Sequence, residues 1–118
     1  MRLKNILIVV KDVDKSKEFY KSLFGLQVIS DFGENVMLTE GLVLQEKSAW
    51  EKQLGRVCPE GGDNVELFFV ENNLDLFLEK IMESGIEVEI ADEIYINPFG
   101  KKTMRIYDPD HHLIEIGE

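Results

Sequence analysis

Cysteine is almost missing. Cys58 stands alone in 118 residues, so no internal disulfide can form, and a reducing, cytoplasmic setting is expected. Long apolar runs are missing too. The longest near the start, Ile6 to Val10, falls far short of the ~20 residues a membrane helix needs, so no membrane role is expected. The first residues lack the apolar stretch and small-residue cleavage site of a signal peptide. Basic charge is scarce: 13 Lys and Arg face 23 Asp and Glu, for a net −10. That balance argues against nucleic acid or an anionic membrane as partner, because both need basic patches. It favours a cationic ligand through the long-range field, and it also serves simply to keep acidic molecules apart in solution. No glycine-rich phosphate loop, Ser-His-Asp ordering or CxxC pair occurs.

What is present is an ordinary globular composition, 44% hydrophobic and 31% charged, expected to form one domain over residues 1–118. Residues 5–10 are short and β-branched and read as a buried strand. Asp12 or Asp14 can cap a helix running to about Phe24, with Val13, Phe19, Tyr20, Leu23 and Phe24 towards one side and Gly25 as its stop. Three short strands follow at 26–31, 35–39 and 42–46, separated by turn signals. Residues 47–63 form a connector with a helical turn over 48–54, in which Trp50 is an apolar anchor or a ligand-stacking ring.

The second half repeats the first. A strand at 65–70 leads to a helix over 74–84 with Leu74, Phe77, Leu78, Ile81 and Met82 at helical spacing, ended by Gly85. Strands then read over 86–90, weakly over 94–96, and over 102–107 and 113–116. Val13-Asp14 returns as Leu74-Asp75, and Gly25-Leu26-x-Val28 as Gly85-Ile86-x-Val88. The fold class expected is α+β: two βαβββ modules, 1–46 and 64–118, joined by the connector 47–63. Together they make a curved mixed sheet with helices on its convex side and a concave ligand cleft. A ferredoxin-like βαββαβ sandwich ranks second, because it needs fewer strands between its helices than are seen here.

The stretch Val10-Lys11-Asp12-Val13-Asp14-Lys15-Ser16-x-x-Phe19-Tyr20, followed by Phe24-Gly25-Leu26, resembles the first module of the vicinal oxygen chelate superfamily. These are the glyoxalase, bleomycin-resistance and extradiol-dioxygenase relatives. The closing Tyr107-Asp108-Pro109-Asp110-His111-His112-Leu113-Ile114-Glu115-Ile116 is similar to the superfamily's final turn and strand. The resemblance covers essentially the whole chain and speaks to fold more than to chemistry, since this fold hosts many functions.

Metal-dependent members bind a divalent ion through four side chains, one near the start and one near the end of each module. The resemblance carries these to Asn5, Gln45 (Glu46 if the strand is out of step), Glu66 and Glu115. Alternation agrees: if Asn5, Leu7 and Val9 face the cleft, Ile6, Ile8 and Val10 face the helices. Likewise Glu66, Phe68 and Val70 would face the cleft, with Leu67 and Phe69 behind. None of the four positions is histidine, so no cofactor is expected; the alternative is a divalent ion (Mn²⁺, Mg²⁺, Ni²⁺ or Zn²⁺), of which the hard Mg²⁺ or Mn²⁺ suit these oxygens better, and weakly. With no ion, Glu66 and Glu115 would repel, and Arg105 is the candidate donor between them if it faces inwards. His111 and His112 are adjacent, point opposite ways in a strand, and are expected to be structural, His111 in a left-handed turn position. Cys58 lies in the connector beside Pro59 with no His or basic cluster nearby in sequence and is not read as a nucleophile.

Three functions compete. The first is a metal-independent, cofactor-free binding protein for a small aromatic or cationic ligand, its cleft lined by Asn5, Leu7, Gln45, Trp50, Phe68, Arg105 and Tyr107. The second is a metal-dependent glyoxalase-type lyase or isomerase with Glu115 or Glu66 as general base. The third is a non-catalytic dimeric regulatory domain. A homodimer is expected under any of them, to complete clefts and cover sheet edges.

Overall fold

The computed structural model describes residues 1–118. The chain divides into two units, Met1–Glu60 and Gly61–Glu118. The first contains β1 (Ile6–Val10), α1 (Val13–Phe24), β2 (Val28–Asp31), β3 (Asn35–Leu38), β4 (Leu42–Glu46) and α2 (Lys47–Leu54). The second contains β5 (Glu66–Val70), α3 (Leu74–Ser84), β6 (Glu89–Ile96), β7 (Lys102–Tyr107) and β8 (Leu113–Gly117). Each unit is a βαβββ module with its own open four-stranded mixed sheet, ordered β1-β4-β3-β2 and β5-β8-β7-β6. The outer strand of each module lies parallel to the last, β1 to β4 and β5 to β8, while the remaining pairs are antiparallel. The fold is therefore α+β with the expected internal repeat.

Local chemistry explains the matching entries into the helices. Asp12 caps α1 by accepting from the Lys15 N–H, and Asn73 caps α3 by accepting from the Leu76 N–H. On α1 the buried residues Val13, Ser16, Phe19, Tyr20 and Leu23 fall on one stripe, and α1 packs on β4. Phe19 meets Tyr20 edge-on with ring centres 5.0 Å apart, and Phe24 joins both at 5.9 Å. Gly25 closes α1 at φ 69°, a left-handed conformation in which its N–H reaches the Lys21 carbonyl.

Alternation sorts the strands as expected. In the first sheet Ile8, Val10, Val36 and Leu44 share the apolar face and are buried. In the second, Met104, Ile106, Ile114 and Ile116 do the same, each at most 1% exposed.

Two details depart from the sequence reading. Residues 86–90 and 94–96 are not two strands. Glu89–Ile96 is one eight-residue strand, irregular in register where Ala91 and then Glu93–Ile94 interrupt its pairing with β7. The helical turn in the connector is a two-turn helix, α2, because the Glu46 carboxylate caps it from the end of β4, accepting from the N–H groups of Ser48 and Ala49.

Candidate functional site

The opposite face of the second sheet carries the polar groups. Pairing sets Phe68 beside Glu115, Arg105 beside Glu115, and Asp92 beside Arg105. All therefore project to one side, with Glu66 and Tyr107 flanking Leu113 on the same side. Arg105 faces this side and is its centre. Its Nε donates to Glu66 Oε2 at 2.9 Å and its Nη1 to Asp92 Oδ2 at 3.4 Å. Its Nη2 lies 3.2 Å from Glu115 Oε1, and its guanidinium sits 5.5 Å from the centre of the Tyr95 ring. Every strand of the sheet thus contributes to one ion-pair network.

The titrations follow from this arrangement. Glu115, 9% exposed, is pushed up from the ordinary glutamate value. Burial is the main cause, then its hydrogen bond with Glu66 and that group's charge; Arg105 and Thr103 pull the other way. The bond to Glu66 raises the hold of Arg105 on its proton, so it is a permanent cation. Tyr107 donates its hydroxyl to both carboxylate oxygens of Asp63, at 3.0 and 3.1 Å, and this bond above all keeps it a neutral phenol.

Around this centre lies an open depression of about 540 Å³ lined by Asp63, Asn64, Val65, Glu66, Ala91, Asp92, Arg105, Tyr107 and Leu113. His111 stacks on Tyr107 with ring centres 4.0 Å apart, and its Nε2 is 2.6 Å from Glu89 Oε2. Its φ of 65° is the left-handed turn conformation expected. His112 turns instead to Asp108, Nδ1 to Oδ2 2.7 Å, within the final turn. Cys58 is held in its loop by a 2.7 Å bond from its N–H to Glu51.

The sequence-derived residues divide between the units. Glu66, Phe68, Arg105, Tyr107 and Glu115 share one face of the second sheet. Asn5, Leu7, Gln45 and Trp50 belong to the first unit. There Leu7 pairs with Val43 as Phe68 pairs with Glu115, so the repeat sets Val43, an apolar residue, at the position matching Glu115. Gln45 faces the same way as Val43 but lies two residues on, opposite Val9 and Asn35. It is 6% exposed, and its Oε1 accepts the Asn35 amide at 2.8 Å. Asn5 is half-buried just ahead of β1, and Trp50 is half-buried on α2. Asp63, Asp92, Tyr95, Glu89 and Thr103 were not singled out from sequence. Asp92 sits where the pattern suggested a break between strands, and that irregularity was the only available signal.

The donor set does not fit a resident divalent ion. No imidazole accompanies Glu66 and Glu115, a guanidinium already bonds both, and nowhere do three or more His, Cys, Asp or Glu side chains gather in metal-holding geometry.

The glyoxalase-like domain profile matches residues 3–118. A crystal structure of a protein of unknown function from Agrobacterium tumefaciens str. C58 is 32% identical, covers 100% of this chain and 94% of its own, and superposes with a TM-score of 0.84. The YwkD protein of Bacillus subtilis (strain 168) is 28% identical over 97% of this chain and 94% of its own length. A glyoxalase/bleomycin resistance protein/dioxygenase family enzyme from Burkholderia phytofirmans PsJN shares the fold at 19% identity, with a TM-score of 0.82 over 97% of this chain and 95% of that one. The chain belongs to the glyoxalase-like domain family, and it shares its fold with proteins of the glyoxalase/bleomycin resistance/dioxygenase superfamily.

Proposed function

We propose that the protein binds a small cationic or aromatic molecule without a metal or other cofactor, using the polar face of its second sheet. The observation that carries this reading is the lining of the depression. Asp63, Glu66 and Asp92 outnumber its single cation, Arg105, and the Tyr107 ring stands at its edge. Carboxylates there draw a cation in, and the face of Tyr107 that His111 does not cover suits a planar or quaternary ammonium group. Thermal shift against cationic aromatic compounds tests it, with neutral and anionic analogues as controls. Cationic compounds should stabilise the protein, and Asp92→Asn should weaken the tightest of them by about two- to five-fold, the size of one exposed charge contact. A panel in which only anions or nothing stabilise the fold would sink the proposal.

A second reading has its own observation. A buried carboxyl with raised proton affinity beside a second carboxyl is suited to moving a proton, and Glu115 next to Glu66 is such a group. It supports a lyase or isomerase in which Glu115 is the general acid–base. The pH profile of any activity found should then carry an ionisation above the ordinary glutamate range that Glu115→Gln removes.

A further inference from the structure

The network around Arg105 explains more than neutralisation. The residue comes from β7, and the three carboxylates it meets come from the other three strands: Glu66 from β5, Glu115 from β8 and Asp92 from β6. A planar guanidinium suits this layout, because its N–H groups point in fixed, divergent directions towards partners about 3 Å away. A divalent ion needs oxygens at about 2.0–2.6 Å on all sides and would have to draw the same carboxylates inwards. The two arrangements exclude each other.

We propose that Arg105 is the resident cation of this face: its guanidinium bonds Glu66 and Glu115, the two carboxylates a divalent ion would have to use, and bars that ion from the site. The inference rests on the metal-free reading above but makes a separate claim. Two carboxylates alone hold an ion only weakly, and a single side chain keeps out even that weakly held ion. Removing the guanidinium while keeping side-chain bulk should therefore open a weak divalent site on Glu66 and Glu115. Lysine should close it again, because an ammonium restores the positive charge.

Mn²⁺ is the probe, followed by its paramagnetic signal and by calorimetry. Wild type should bind none, Arg105→Met should bind one ion per chain, and Arg105→Lys and the double variant Arg105→Met/Glu66→Gln should bind none. A folded Arg105→Met that takes up no Mn²⁺ overturns the proposal, as does a wild type that binds it stoichiometrically. Should Arg105→Met fail to fold, the wild-type protein decides the matter. The ¹⁵Nε–H resonance of Arg105, held by Glu66, should stay sharp in excess Mn²⁺, and its selective broadening would show the ion seated among these carboxylates. Ligand stabilisation is read separately. If the cationic panel fails while Arg105→Met gains an ion, the binding function falls and the resident cation stands; the reverse pattern spares the function alone.

Discussion

Glu115 is held between opposing influences, and the outcome sets its contribution to stability. Burial and Glu66 favour its protonated form more than Arg105 and Thr103 favour the charged one, so its folded-state affinity for a proton exceeds the unfolded value of 4.5. A carboxyl shifted upwards adds nothing unfavourable below the unfolded value. Its cost grows as pH rises through the folded value and is complete above it. Glu115→Gln should therefore be more stable than wild type at pH 7.5, with the advantage fading as pH falls towards the unfolded value. Urea titrations at a series of pH values measure this, and an advantage that stayed constant or grew on acidification would contradict the assignment. Tyr107 makes a different forecast at the same scale. Its hydroxyl is tied to Asp63, so Tyr107→Phe should free that carboxylate and leave the His111 ring stacked on an unaltered aromatic face. If Asp63 attracts the ligand, the variant should bind a cationic compound at least as well as wild type.

Among the elements, helix entries and strand faces were legible in the sequence because each rests on a local rule. Asp12 and Asn73 each precede an apolar stripe, and a short polar side chain there has an N–H to cap. Asn73→Ala should cost about 1 kcal/mol, seen as a lowered urea midpoint with unchanged slope. The apolar face of β8 followed from alternation around Glu115, whereas β1 is apolar throughout and its faces followed only from the placement of Asn5. Ile106→Ala, at a fully buried position, should cost about 2–5 kcal/mol by the same measurement. What the sequence hid was register. Leu42-Val43-Leu44-Gln45-Glu46 contains one conspicuous polar pair, and it drew attention to Gln45, whereas pairing with β1 sets Val43 at the place that matches Glu115. Register depends on partner strands, which no single segment encodes. The irregular pairing of β6 likewise concealed Asp92 inside a continuous strand, and with it the third carboxylate around Arg105.

For the molecule as a whole, the net charge of −10 makes salt a diagnostic variable. A cationic ligand drawn by that field should bind more weakly as ionic strength rises, chiefly through its on-rate, while a neutral aromatic one should be indifferent. We further propose a homodimer, since β5 ends its sheet with Phe68 and Val70 at least half exposed. Sedimentation at micromolar concentration should show twice the chain mass, and a monomer there would remove the proposal. The repeat also carries a record of its own divergence. At the point where β4 has Gln45 bonded to Asn35, the matching place on β8 has Gly117 opposite Thr103, and a methyl group at 117 would lie 2.7 Å from the Thr103 hydroxyl oxygen and 2.9 Å from the Lys102 carbonyl. Trimming the Thr103 hydroxyl leaves its Cβ at 2.9 Å and the Lys102 carbonyl, which is backbone. The two repeats are therefore not interchangeable at this point: the second cannot take a side chain at 117 until β7 itself has moved.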